Sequence, residues 1–162
     1  MTDFEQLKQV LGAQLNTFKE LLELEKNKTE VLKSGKISEL DKIVNSEQAF
    51  IMKLAQLETK QSFIISEYFP AEYNISQIIA YCIIDEKEDF QLINEEIDNV
   101  LLLIQQVNKV NKAMLKNSID MISFISDRIG SGNLDNQQIV DIMADFSNRD
   151  KNDDQYLLNK KI

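Results

Sequence analysis

Residues 90–129 read FQLINEEIDNVLLLIQQVNKVNKAMLKNSIDMISFISDRI, and this stretch decides the fold. Its apolar positions step by three and four from Ile93, Ile97, Val100 and Leu101 through Ile104, Val107 and Leu115 to Ile122, Ile125 and Ile129. That spacing lays one continuous stripe along a single face of an α-helix, with Asn, Gln, Lys and Glu on the other face. The stretch contains neither Gly nor Pro. Forty helical residues make a rod roughly 60 Å long. A stripe of that length needs other long helices to cover it. A second set of apolar side chains, Val110, Met114, Met121 and Phe124, spills beyond the main stripe and is surplus to it.

The covering helices lie on the N-terminal side. Phe4, Leu7, Leu11, Leu15, Phe18 and Leu22 carry a first stripe over about residues 3–33, with Thr2 or Asp3 as N-cap. The run ELEKNKTE, residues 23–30, interrupts the stripe and predicts a continuous helix that is less well packed there. Ser34-Gly35 ends it, since glycine closes a helix in the left-handed conformation at little steric cost. Ser38, with Asp41 three residues on, reads as a variant capping box opening a second helix over about 38–69. Leu40, Ile43, Val44, Phe50, Ile51, Leu54, Leu57, Ile64, Ile65 and Tyr68 carry its stripe up to Pro70. A linker of about four residues folds the two helices into an antiparallel hairpin. Asn74 caps a short helix predicted over 75–84, and the acidic run Asp85–Phe90 leads into the long third helix, about 88–129. GSGN, residues 130–133, closes that rod.

The expected fold is therefore all-α. Residues 1–130 form an elongated antiparallel three-helix bundle, or coiled-coil hairpin, with a short connecting helix. Residues 131–162 form a loosely packed C-terminal tail carrying a short amphipathic helix through Ile139, Ile142, Met143 and Phe146, with Tyr156 near its end. Helices this short are marginal alone in water, which suits a segment that folds on arrival of a partner. Asn108 and Asn111 interrupt the apolar face of the long helix and read as buried amides that fix register, as against contacts to a ligand.

Composition narrows the function. The 162 residues include 18 basic and 27 acidic side chains, a net charge of −9, with no basic block to attract nucleic acid or an anionic membrane. The opening MTDFEQLKQVLGAQ has neither a basic n-region nor an apolar h-region, and no window approaches a membrane span, so neither a secretory leader nor membrane insertion is expected. Cys82 stands alone and excludes an internal disulfide, which with the preceding points suggests a reduced, cytoplasmic protein. There is no histidine, and with it go Ser-His-Asp and Cys-His catalysis and histidine-based metal sites. No metal or other cofactor is expected, and no enzyme activity. A carboxylate-only site at Glu95, Glu96 and Asp98 is the enzymatic alternative, and the acidic run at Asp85 reads as a solvated first turn rather than a calcium loop, because it lacks the central Gly.

In its order of features the chain resembles the FlgN family of flagellar export chaperones. The resemblance rests on the leucine-rich opening helix with Leu21, Leu22, Glu23, Leu24 and Glu25, on LKSGKISELDKIVNSEQAFIMKLAQLE at residues 32–58, on Asn108, Asn111 and Leu115 in the long helix, and on the closing LLNKKI. It implies a cytosolic helical chaperone that binds the C-terminal helices of hook-associated (hook–filament junction) proteins and delivers them to the export gate. The partner surface expected here is Val110, Met114, Met121 and Phe124 on the long helix, with Ile139, Ile142, Met143, Phe146 and Tyr156 of the tail as a clamp. A monomer or weak homodimer is expected; a self-associating coiled-coil scaffold is the competing reading.

Overall fold

The computed structural model describes residues 3–70, 73–82 and 84–129, together with Ala144, Asn148 and Tyr156. Four helices follow one another: α1 (Asp3–Ser34), α2 (Ile37–Tyr68), α3 (Ile75–Tyr81) and α4 (Ile84–Ile129). The fold is all-α, as the periodicity requires.

Gly35 forms the hairpin turn at φ 69°, with its N–H donating to the Leu32 carbonyl at 3.3 Å. The restart differs from the expected capping box. α2 opens at Ile37, and Lys36 occupies the N-cap position with no side-chain hydrogen bond. Backbone groups of the tight turn do this work instead, the Ile37 N–H donating to Gly35 O at 2.9 Å and the Glu39 N–H to Lys36 O at 3.0 Å. Ser38 therefore lies inside the first turn, two residues past the N-cap.

At the other end, Phe69 is extended (φ −126°, ψ 151°), as the residue before Pro70 must be. Asn74 caps α3 through a reciprocal pair: its Oδ1 accepts from the Gln77 N–H at 2.9 Å, and its own N–H donates to Gln77 Oε1 at 2.8 Å. α3 stops at Tyr81 rather than 84, because Cys82 turns extended, and α4 starts at Ile84 rather than 88. The acidic run thus lies within the opening turns of α4.

α1 is the central helix and packs on both α2 and α4, whereas α2 and α4 make no extended contact with each other. Cross-helix bonds give the directions. Lys8 pairs with Asp89, Lys19 with Glu96, and Thr29 bonds Asn111, so α4 runs parallel to α1. Gln14 bonds Gln61, Lys53 pairs with Glu20, and Lys28 with Glu47, so α2 runs antiparallel to both. Phe4 makes edge contacts with Phe69 and Phe90, at centroid distances of 5.4 and 6.2 Å, which ties all three long helices together at one end. With that end shared, the 46 residues of α4 outrun the 32 of α1. At the helical rise the surplus amounts to roughly 20 Å, some of it at the α3 end and the rest projecting past the hairpin turn.

The interior falls into two apolar clusters. The larger spans Leu7 to Leu22 of α1 with Leu54, Ile64, the α3 isoleucines, Phe90 and Ile97 to Ile104; the smaller consists of Val31, Leu40, Ile43, Val44 and Leu115 near the turn. Between them lies a polar layer. Glu25, Lys28, Glu47, Asn108 and Asn111 are all buried, with Lys28 and Glu47 at 1% and 2% exposure. The interruption at residues 23–30 is therefore not a loosely packed stretch: two of its charged side chains, Glu25 and Lys28, occupy core positions and meet partners there, while Glu23, Lys26 and Glu30 stay exposed.

Candidate partner-binding surface

Helix geometry places Leu103, Val107, Val110, Met114, Met121 and Phe124 on one flank of α4, since they recur at intervals of three, four and seven. α1 covers the neighbouring flank, through Ile97, Val100, Leu101, Ile104 and Leu115. The first flank stays largely open: Leu103, Val110, Met121 and Phe124 are 45%, 51%, 65% and 56% exposed, and Met114 is half-buried. Large apolar side chains exposed in a row, rather than scattered, mark an interaction surface. Below Met121 a notch of about 200 Å³ runs between the helix and the hairpin turn, lined by Val31, Leu32, Ile37 and Ile122 among others. The expected positions on α4 thus share one face.

Of the tail positions expected to join them, Ile139, Ile142, Met143 and Phe146 lie outside the described residues. Tyr156 lies within them. Its ring packs against the larger core cluster, and its hydroxyl donates to Glu58 Oε2 at 3.3 Å. Burial pushes the phenol well above its ordinary range, with the Glu58 charge adding to the effect. The side chain accordingly contributes to the packing of this chain against α2, away from the α4 flank.

Sequence reasoning missed a second apolar groove, between α1 and α2. It encloses about 700 Å³ and is lined by Val10, Ala13, Leu57, Phe63 and Ile64, with Gln6, Gln9, Thr59 and Lys60 at its edges. Phe63 is 62% exposed on its rim. The available signal was Phe63 beside Ile64, an aromatic one position outside the α2 stripe.

The polar layer was half legible. Asn111 behaves as a register residue: fully buried, it donates through Nδ2 to Glu25 O and Glu25 Oε2, both at 3.0 Å, and its Oδ1 accepts from the Thr29 hydroxyl at 2.6 Å. What single-helix reading could not supply is the facing group. Lys28 Nζ donates to Glu47 Oε1 of α2 at 2.9 Å. The Glu25 carboxyl is buried in the same layer, where its Oε2 accepts from Asn111. Burial, and then the Glu25 carboxyl beside it, push Glu47 up from 4.5 to about 8 against the pull of Lys28. Glu47 thus holds a proton at neutral pH.

Glu95, Glu96 and Asp98, the enzymatic alternative, are exposed along α4, where Glu96 pairs with Lys19 at 2.7 Å. No cluster of three or more metal-ligating side chains occurs among the described residues, and no helix there is long and apolar enough to cross a membrane.

The comparisons bear on this arrangement. The family model described as FlgN protein matches residues 1–146, which takes in all four helices and the exposed flank of α4. A relative, the Bacillus subtilis (strain 168) protein described as uncharacterized protein YvyG, is 32% identical over 111 residues, covering 67% of this chain and 69% of that protein. No solved structure matches significantly. A histidine-free bundle that exposes an apolar helix flank, matched by the family model over nine-tenths of its length, is a member of the FlgN family of flagellar export chaperones.

Proposed function

We propose that this chain is a cytoplasmic carrier for hook–filament junction proteins, holding their amphipathic C-terminal helices until the export gate takes them. The observation that supports the reading is the exposed flank of α4, where Val110, Met121 and Phe124 are each more than half exposed beside a helix face that is otherwise sealed. An amphipathic helix laid along such a flank buries its own apolar anchors at three- and four-residue spacing, the helix-in-groove mode of recognition. The tail segment from Ile139 to Phe146 then closes over the bound helix. Chaperone duty needs apolar surface and solubility together, and the net charge of −9 supplies the second.

Calorimetric titration with the C-terminal helical segment of a hook–filament junction protein tests the assignment. Val110→Glu with Met121→Glu is expected to weaken binding at least tenfold at unchanged thermal stability, and deletion of residues 131–162 to weaken it further. Undiminished affinity in the double variant removes the α4 flank from the account. The same flank would serve self-association, and light scattering separates the two: a carrier stays monomeric or weakly dimeric until cargo is added, whereas a scaffold assembles alone.

A further inference from the structure

The buried layer between the two apolar clusters lies inside the helix packing rather than on the exposed flank of α4, and it is a costly feature. Glu25, Lys28 and Glu47 sit within 4% exposure of complete burial, and Glu47 Oε2 is buried without a hydrogen-bond partner. The groups that face Glu47 are few. α1 brings Glu25 and Lys28; along α2 its neighbours Val44, Ile51 and Leu54 are apolar; α4 brings the neutral amides Asn108 and Asn111 into the layer, with half-buried Lys112 beside them. Beyond the layer, the buried cluster at the outer end of the hairpin has five members among the described residues, with Leu24, Leu32 and Ile37 packed on them, against seventeen in the larger cluster. α2 has no extended contact with α4 to reinforce it there.

We propose that this layer is a protonation-controlled latch on the outer end of the hairpin. With Glu47 protonated the buried layer carries one negative charge fewer and the end stays closed. Loss of the proton places a further negative charge in the buried layer beside the Glu25 carboxyl, and residues 37–47 of α2 then part from α1. Opening lets water reach Glu47, which relieves the excess charge, while the larger cluster keeps the rest of the bundle folded. It also uncovers Val31, Leu40, Val44 and Leu115, which adjoin the notch under Met121 and extend the apolar surface of α4.

The direction follows from linkage. The open state releases the proton at an ordinary glutamate pKa and the closed state only at higher pH, so each unit of pH between these limits favours opening by up to about tenfold. Hydrogen–deuterium exchange of the full chain at pH 6, 7 and 8, corrected for intrinsic exchange rates, reads this directly. Amides of residues 37–47 are expected to lose protection with rising pH in the wild type and to hold it constant in Glu47→Gln, while amides of residues 97–104 change in neither. Equal slopes in both proteins, or a flat wild type, overturn the latch. Should Glu47→Gln fail to fold, carboxyl 13C titration of the wild type decides: one glutamate titrating near or above neutrality supports it, and every glutamate titrating below pH 6 refutes it.

Discussion

Replacing Lys28 with Met tests the physical account of the interior most severely. The two side chains are similar in length and volume, so Lys28→Met leaves little cavity and removes chiefly the charge and the 2.9 Å bond to Glu47 Oε1. At 1% exposure no water stands ready to replace the ammonium. Glu25 still accepts from Asn111, but the layer loses a buried cation, and Glu47 loses its donor. Removing one partner from a buried ion pair typically costs about 3–5 kcal/mol. For a chain of this size that corresponds to a fall in melting temperature of roughly 10 °C, at about 2–4 °C per kcal/mol. Urea and thermal unfolding followed by far-ultraviolet circular dichroism at pH 7 would measure it. Adding Glu47→Leu to Lys28→Met should restore part of the stability, since it removes the buried carboxyl left without its donor. A change below about 1 kcal/mol at pH 7 in the single variant, well under that expected range, would refute the reasoning, because it would mean that the layer is hydrated rather than closed.

Three further outcomes are expected. Glu47 titrates at about 8 in the fold against 4.5 unfolded, so its protonated form contributes stability that is complete below pH 4.5 and is lost as pH rises through 8; wild-type stability should fall across that window relative to Glu47→Gln, by an amount on the order of a few kcal/mol, in a pH series of melting curves. Phe90→Ala removes a side chain at 1% exposure where three helices meet, and should cost about 3–5 kcal/mol in urea unfolding. Gly35→Ala meets no neighbouring atom within 4 Å yet must adopt φ 69°, so backbone strain alone should cost about 1–2 kcal/mol, detectable as a lower melting temperature with unchanged helix content.

Much of the fold was legible because helix-forming rules are local. Gly35 and Pro70 marked the two breaks, Asn74 capped α3 as expected, and the stripes from Leu7 to Leu22 and from Ile97 to Ile104 became the larger core. Boundaries set by backbone rather than side chains escaped: Ser38 looked like a cap, but a tight turn had already satisfied the first donors. The α4 positions Val110, Met121 and Phe124 were legible as surplus to one stripe, whereas the α1–α2 groove was not, because a groove belongs to two helices at once.

The sequence by itself determined the breaks in apolar periodicity and hence long helices, the hairpin, and the presence of more apolar surface than one stripe can hide. The tertiary structure alone decided that α1 is central, that α4 runs parallel to it, and that Glu25 and Lys28 lie inside the bundle with Glu47 facing them. The reason is that a helix announces its own faces through spacing of three and four, while the environment of a charged residue depends on which side chain arrives from another helix. Lys28 reads as a solvated lysine until Glu47, nineteen residues away, is folded against it.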